Sequence, residues 1–402
     1  MQKRSYNTGT VQSGTMGFKF TYICDLLSSL EENRTVKAST TARADNPDFR
    51  AVSKWFARHD KHLHSRDTNQ LAVLSCLFPE KLPDRVYCLQ HASLARVIGR
   101  CLLLGLSRRE ELERWRVSGE RRDLGECVEG VMRQAENHVP SGQEVSVEEV
   151  DAALVRLASR CRFSGPRLRR QHAGAAVDVE ECLGPLYRRM SSRDAKWLTR
   201  MILKNYSPVV VPASFVLRKV HFLLPKLLLF QDSLEIALKM LASERIRHFP
   251  PQPDPALARD LGIIALECLD PVTGVKIGRP DYYKARSIKH CCQMVDRRRM
   301  SIERKYDGEY CQIHIDLSKH PNPIQIFSKS GKDSTIDRSG IQEVLRHALR
   351  IGSPECRFSR RCILEGELLV YSDEHQKIMG FHKLRQFISR SGTFIGTDSD
   401  SL

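Results

Sequence analysis

The sequence lacks the long apolar runs that mark membrane proteins. No run approaches the roughly 20 residues that a membrane-spanning helix needs. The most apolar stretch, residues 222–230, contains Pro225 and Lys226. The N-terminus has two basic residues but no apolar segment after them, so we expect no signal peptide. These absences predict a protein that has no membrane partner.

The sequence also lacks the cysteine spacing of a metal site or a disulfide framework. Its 13 cysteines include no Cys-x-x-Cys pair and show no regular spacing, and no His-x-x-x-His sequence accompanies them. The one close pair is Cys291-Cys292. We therefore expect reduced thiols in an intracellular protein.

Acidic residues are few relative to basic ones. The chain has 48 Asp and Glu against 64 Lys and Arg, which gives a formal net charge of +16. Such a charge favours a polyanionic partner, with nucleic acid first and an anionic membrane surface second. The net charge thus indicates a class of partner but does not indicate which reaction, if any, the protein catalyses.

The pattern of the sequence changes near residue 250, which predicts more than one domain. Residues 1–17 are polar and rich in Gly, Ser and Thr, so we expect a flexible tail. Over 18–248 apolar residues recur every three or four positions, which predicts an all-α domain. The proline-rich stretch 249–256 predicts a linker, and the short alternating segments of 257–402 predict an α+β domain.

The clearest helix follows Ser191 and runs to about residue 204. Serines precede it, an acid lies in its first turn and a lysine in its last, as helix capping and the helix dipole favour. Its apolar residues form one stripe that we expect to be buried: Trp197, Leu198, Met201 and Ile202. Its basic residues recur at i, i+4 and i+8 and predict a solvated outer ridge: Lys196, Arg200 and Lys204. Such a ridge by itself implies no ligand.

A second pattern surrounds Lys305. Residues 309–316 alternate apolar and polar side chains, which predicts a half-buried strand. On an extended backbone Lys305 and Asp307 face the same side, and Gly308 lets the chain pass close to a ligand. A neutral lysine beside a carboxylate is a plausible nucleophile with its orienting partner. An exposed ion pair at a strand end is the alternative, and spacing alone favours it.

The segment Lys305-Tyr-Asp-Gly308 resembles the nucleotidyltransferase motif Lys-x-Asp-Gly of ATP-dependent DNA ligases and mRNA capping enzymes. Ser328-Lys-Ser-Gly331 and Glu365-Gly-Glu367 follow in the order of that family. The helix 194–204 is similar to the signature helix of the DNA-binding domain of eukaryotic DNA ligases, above all those of the ligase IV branch. The resemblance covers residues 18–390.

The resemblance implies a mechanism and a set of site residues. Lys305 would attack the α-phosphate of ATP and carry AMP, with Asp307 beside it. The other residues implied to bind ATP are Glu303, which would read the adenine amino group, Gly308, Lys329, Glu367 and Arg286. Glu367 would also bind Mg²⁺. The fold implied for 257–402 is a partial nucleotidyltransferase domain, an ATP-grasp-like ligase adenylation domain.

The resemblance also implies a partner and a cellular role. The all-α domain would grip double-stranded DNA at nicks or ends, with Lys196, Arg200 and Lys204 as candidate phosphate contacts. A ligase of this branch would act in the nucleus in DNA repair, recombination and end joining, with an end-joining protein as a possible partner.

Departures from the family leave alternatives open. Position 310 is tyrosine where the family has arginine, so one arginine contact to the nucleotide is either missing or supplied elsewhere, with Arg286 as the candidate. Lys329 also replaces a family arginine and loses its bidentate geometry. The family's later motifs are missing, which predicts a C-terminally truncated ligase in which residues 255–402 are marginally stable or aggregate. A non-catalytic DNA-binding remnant is therefore the alternative, and an RNA ligase or capping enzyme is disfavoured by the long helical domain.

Overall fold

A computed structural model describes residues 17–35, 46–117, 119, 122–171, 177–269, 271–279 and 282–387. The predicted tail, apart from Gly17, lies outside the described residues. Two compact units are present, Met1–Pro225 with Leu238–Ile263 and Lys226–Ala237 with Ile264–Leu402. No helix in the described ranges is long and apolar enough to cross a membrane.

Helices dominate the chain up to residue 295. They are α1 (Phe20–Thr35), α2 (Pro47–Leu63), α3 (Gln70–Leu77), α4 (His91–Cys101), α5 (Leu106–Leu112), α6 (Leu124–Arg133), α7 (Val147–Ser159), α8 (Pro166–Gln171), α9 (Val179–Arg188), α10 (Ser192–Ile202), α11 (Ala213–Val220), α12 (Leu224–Phe230), α13 (Leu234–Leu241), α14 (Pro255–Glu267) and α15 (Ile288–Val295). Short 3₁₀ helices lie at Pro79–Lys81 and Glu113–Arg116. Helix α14 begins inside the stretch 249–256 that the sequence predicts as a linker.

Side-chain caps explain where several of these helices begin. The Ser146 hydroxyl accepts a hydrogen bond from Glu149 N and the Glu149 carboxylate accepts one from Ser146 N, and together they form a capping box at the start of α7. Asp123 and Glu126 form the same arrangement at α6. The Ser191 hydroxyl caps α10 by accepting from Asp194 N at 3.2 Å.

Helix α10 lies in the centre of the helical unit, and its basic ridge is not solvated. The predicted stripe of Trp197, Leu198, Met201 and Ile202 is buried, as expected. Lys196 and Arg200 are buried too, with 6% and 2% of their surface exposed. The predicted outer ridge is therefore wrong for these two residues. Their position is possible because carboxylates from α1, from α6 and from the N-cap of α6 pair with them.

The paired carboxylates surround the two cations at close range. Glu31 bridges them, with one oxygen 2.7 Å from Lys196 Nζ and the other 2.6 Å from Arg200 Nη1. Asp123 lies 2.7 Å from Arg200 Nη2 and Glu129 lies 3.1 Å from Lys196 Nζ. We call Glu31, Asp123, Glu129, Lys196 and Arg200 the ion cluster. Burial alone would raise the pKa of Glu31, but hydrogen bonds and charges from Lys196 and Arg200 lower it below its usual value.

One covalent link differs from the sequence-based expectation. Cys88 and Cys161 form a disulfide, with Cα atoms 6.4 Å apart, whereas reduced thiols were predicted throughout. The link joins the chain before α4 to the chain after α7. The other 11 cysteines are free.

The second unit contains a three-stranded antiparallel sheet of order β2-β1-β3, formed by β1 (Glu309–Asp316), β2 (Ile324–Ser328) and β3 (Arg361–Leu368). The other elements are a 3₁₀ helix (Ser339–Ile341), α16 (Gln342–Ala348), the β4 (Tyr371–Ser372) and β5 (Lys377–Ile378) hairpin, and α17 (Phe381–Phe387). The predicted strand at 309–316 is confirmed. Its apolar face forms the core of the sheet with two residues of β2: Cys311, Ile313, Ile315, Ile324 and Ile326.

The other face of β1 is also buried, although the alternation predicts a half-buried strand. Gln312 and His314 are each 1% exposed and Asp316 is 5% exposed. The segment 271–279 covers this face and hydrogen bonds to it, which explains how polar side chains are buried there.

We expect Glu31→Ala to destabilise the helical unit by about 3 kcal/mol, because it leaves two buried cations short of a shared carboxylate. All three tryptophans, Trp55, Trp115 and Trp197, lie in this unit, so the tryptophan fluorescence of the full chain reports its urea unfolding alone. Glu110→Ala, at an exposed position of α5, is the control and should change stability little. Equal effects of the two variants would contradict a stabilising ion cluster.

Candidate functional site

Strand pairing brings the three sequence motifs of the second unit together. Strand β1 begins at Glu309, opposite Leu368 at the end of β3, and Cys311 lies opposite Ser328 at the end of β2. Because both pairings are antiparallel, these three strand ends meet at one edge of the sheet. We call this the motif edge, and it consists of Lys305–Gly308, Ser328–Lys329 and Glu365–Glu367.

Position 308 at the motif edge requires a glycine, because the backbone of β3 lies very close to it. A Cβ atom at this position would lie 2.4 Å from the carbonyl oxygen of Leu368 and 2.8 Å from Leu369 Cδ2. The sequence-based expectation was that this glycine admits a ligand. In the structure, the lack of a side chain at Gly308 instead allows the backbone of β3 to pack against it. This contact holds the segment from Lys305 onward against β3, the strand that carries Glu367.

Lys305, Asp307 and Glu303 lie in an irregular segment before β1 and are exposed. The Glu303 carboxylate accepts a hydrogen bond from Ser301 Oγ at 3.3 Å. Within the described part of the chain, neither Lys305 nor Asp307 has an ion pair, so the predicted amine–carboxylate contact is not formed. Glu365 and Glu367 of β3 are exposed as well.

Tyr310 is the buried residue nearest the motif edge on the polar face of β1. Its hydroxyl donates to Glu365 Oε2 at 2.9 Å and lies 3.3 Å from Gln312 Nε2, which donates to it. Burial, and next the bond to the Glu365 carboxylate, raise the pKa of Tyr310, so the phenol stays protonated. The Arg279 guanidinium lies over the ring, 4.3 Å from its centroid. Sequence reasoning missed Arg279, which carries no motif and lies 31 positions before Tyr310.

Arg286 and Lys329, two predicted ATP contacts, are exposed. Arg286 lies just before α15, where its backbone N–H donates to His290 Nδ1 at 3.0 Å. Within the described part of the chain, the arginine that contacts the Tyr310 ring is Arg279, and Arg286 makes no contact with that ring. The contact of Arg286 with the nucleotide stays a prediction.

His314 links β1 to the segment that covers it. Gly274 N donates to His314 Nδ1 at 3.0 Å, so the ring proton is on Nε2, which donates to Gln312 Oε1 at 2.9 Å. Ile277 N donates to the same oxygen at 2.6 Å. Burial, and to a lesser degree the charge of Lys319, lower the pKa of His314 to about 4. The imidazole is therefore neutral at pH 7.

In the helical unit, Lys204 differs from Lys196 and Arg200. It follows α10 with φ 53°, is partly exposed, and its ammonium group donates to the carbonyl of Leu82 at 2.6 Å. Burial and the charge of Arg85 lower the pKa of Lys204 to about 8. It lines an open cavity of about 600 Å³ together with Arg85 and Tyr87, and none of the described residues that line this cavity is acidic.

The carboxylates of the motif edge limit how Mg²⁺ could be held. The described residues contain no group of three or more His, Cys, Asp or Glu side chains suited to a metal ion. Mg²⁺ usually takes one or two carboxylates together with water and substrate phosphates. Glu367 fits that mode, since it is exposed at the edge, whereas Glu365 already accepts from Tyr310.

Two family models match the chain. The model described as DNA ligase N terminus matches residues 19–218, and the model described as ATP dependent DNA ligase domain matches residues 282–398. Together they cover most of the sequence. The chain contains two domains of the ATP-dependent DNA ligase family. The prediction of a helical N-terminal ligase domain followed by an adenylation domain is thereby confirmed.

A comparison with curated proteins adds one relative of this chain. A segment of 102 residues is 33% identical to DNA ligase 4 of Dictyostelium discoideum. The segment covers 24% of this chain and 8% of that protein.

We expect Gly308→Ala to separate the start of β1 from β3 and to cost about 1–3 kcal/mol, because the new methyl group would overlap the Leu368 carbonyl. Hydrogen exchange of the amides in the first half of β1 measures this opening. Gly340→Ala is the matched control, since its Cβ would meet nothing within 4 Å. Unchanged exchange in Gly308→Ala would contradict the close approach.

The attachment of segment 271–279 to β1 should depend on pH. The detached His314 has the usual pKa of 6.5 and the attached one about 4, so attachment is fully stabilised above pH 6.5 and loses up to about 3 kcal/mol as the pH falls to 4. Amide exchange of Gly274 and Val275, corrected for its intrinsic pH dependence, measures the loss. His314→Gln should remove the dependence between these two pH values. The same dependence in that variant would assign it to another group.

Proposed function

We propose that this ligase seals breaks in double-stranded DNA in an ATP-dependent reaction that passes through AMP bound to Lys305. The single observation that carries the proposal is the motif edge. Strand pairing places the segment of Lys305 against the end of β3, where Glu367 lies, and the end of β2, where Lys329 lies. A nucleophile, a carboxylate and a cation at one open edge suit phosphoryl transfer, which depends on positioning and charge stabilisation.

The proposed reaction has three steps. The Lys305 amine loses its proton and bonds to the α-phosphorus of ATP, while the bond to pyrophosphate breaks. The AMP then passes to a 5′-phosphate of DNA, which frees Lys305, and a 3′-hydroxyl attacks that phosphate and releases AMP. Asp307 would orient the amine and Glu303 would bind the adenine amino group. Gly308 keeps Lys305 at the edge, and Glu367 and Lys329 would hold the nucleotide.

Mg²⁺ would be held by Glu367 together with phosphate oxygens, and when bound it would neutralise charge on the phosphates. The exposure of Glu367 leaves its carboxylate available for that role.

DNA binding is proposed for the helical unit. The net charge of +16 favours a polyanion and predicts binding that weakens with salt. Of the three basic residues predicted to contact phosphates, Lys204 fits best, since it lines an open cavity without acids. Lys196 and Arg200 would have to leave the ion cluster before they could touch DNA, so we propose that they position α10.

A role in the nucleus, in DNA repair by end joining and with an end-joining partner, is a further part of the proposal. It is supported by the similarity to DNA ligase 4 of Dictyostelium discoideum. The second candidate function is DNA binding without catalysis. The observation that favours it is the absence of any ion pair to Lys305 or Asp307 within the described residues.

Covalent labelling tests the proposed chemistry. The full chain is incubated with Mg²⁺ and ATP labelled at the α-phosphate, and label on the denatured protein is measured. We expect label on the wild type, none on Lys305→Ala, and about 100-fold slower labelling of Glu367→Gln, because a charge partner of the phosphates is lost. Lys289→Ala, at an exposed position of α15, is the control and should take label like the wild type.

Two outcomes would decide against catalysis at Lys305. Label that persists in Lys305→Ala would place the nucleophile elsewhere. A wild type that takes no label but binds duplex DNA in a salt-dependent manner would favour the second candidate function.

A further inference from the structure

Arg279 is presented to the motif edge by a firmly attached segment. The side chain of Gln231 binds this segment twice, accepting from Val272 N and donating to Val275 O, each at 3.1 Å. Lys276 Nζ lies 3.0 Å from Asp232 Oδ2. These bonds fix the chain on the side away from β1, while Ile277 N and Gly274 N bind the side chains of β1.

The residue just before Arg279 is held by a close approach. A Cβ atom at Gly278 would lie 2.5 Å from the carbonyl oxygen of Leu228 and 2.7 Å from Leu229 Cα. The backbone is therefore packed directly against the end of α12. This packing fixes the backbone next to Arg279. The position of the guanidinium over Tyr310 is therefore set by the backbone as well as by the side chain.

One face of the Arg279 guanidinium is fixed by a ring contact, and its N–H groups remain accessible to a ligand. One face lies on the Tyr310 ring, and that ring is itself held by the bonds to Glu365 and Gln312. Arg279 is exposed, and among the described residues it has no ion pair. A guanidinium stacked on a ring keeps its N–H donors in the plane, where they can bind two oxygens of one phosphate.

We propose that Arg279 binds a phosphate group of the nucleotide at the motif edge, with Tyr310 as its stacking platform. The inference rests on the proposed function, which puts ATP at this edge. Tyr310 lies opposite Glu367 in the sheet, so a cation on its ring is close to the end of β3 that carries that carboxylate. Arg286, the arginine expected from the sequence, lacks this platform.

Binding of ATP to the full chain, measured by titration calorimetry with Mg²⁺ present, tests the inference apart from catalysis. We expect Arg279→Ala to weaken binding about tenfold or more, and Arg279→Lys to recover little of it, because lysine keeps the charge but loses the planar fork. Tyr310→Phe should bind within about twofold of the wild type, since the stacking ring remains. Tyr310→Ala should weaken binding as Arg279→Ala does, and the double variant should be no worse than Arg279→Ala.

Controls separate a phosphate contact from a structural role. Arg357→Ala, at an exposed position of the same unit, should bind ATP like the wild type. Amide exchange of residues 272–278 should be unchanged in Arg279→Ala, because other contacts hold the segment. The inference is overturned if Arg279→Ala binds ATP within twofold of the wild type, or if Arg286→Ala loses as much affinity.

The two proposals can fail separately. A wild type that takes no label at Lys305, but binds ATP in a manner that depends on Arg279, would contradict the proposed reaction alone. Label at Lys305 with ATP binding unaffected by Arg279→Ala would contradict this inference alone. A wild type that binds no ATP would overturn both.

Discussion

The candidate site depends on the antiparallel pairing of β1 with β3. Because side chains alternate along a strand, a slip of one residue would turn the core residues of β1 outward, so burial of Ile313 and Ile315 fixes the register. That register places Tyr310 opposite Glu367 and Gly308 beside Leu368. The chemistry of the motif edge thus follows from packing on the other side of the sheet.

The helical unit uses charge in a different way. The ion cluster pairs Lys196 and Arg200 with carboxylates inside the protein, so these cations hold α1, α6 and α10 together rather than face solvent. The Trp197 ring lies against both, with Lys196 Nζ 5.0 Å and the Arg200 guanidinium carbon 4.9 Å from its centroid. Attraction for a polyanion would then come from other basic residues, and Lys204 beside its open cavity is the one that we propose.

The polar face of β1 connects the fold of the second unit to its site. Gln312 and His314 would be costly to bury without partners, and segment 271–279 supplies those partners through its backbone N–H groups. The same segment ends at Arg279 and sets the guanidinium on Tyr310. A tyrosine at position 310 is therefore compatible with a cation at the motif edge, because Arg279, from another part of the chain, supplies that cation.

Local pattern in the sequence was sufficient for the helical and strand-bearing halves, the serine cap and apolar stripe of α10 and the strand Glu309–Asp316, because capping and periodicity act over a few residues. The motif residues came from the resemblance to ATP-dependent DNA ligases, since spacing alone favoured an exposed ion pair of Lys305 and Asp307. The burial of Lys196 and Arg200, the Cys88–Cys161 disulfide and the position of Arg279 were decided only in the tertiary structure. Each depends on partners tens of residues away, and a periodic pattern cannot tell whether a basic ridge faces water or a carboxylate from another helix.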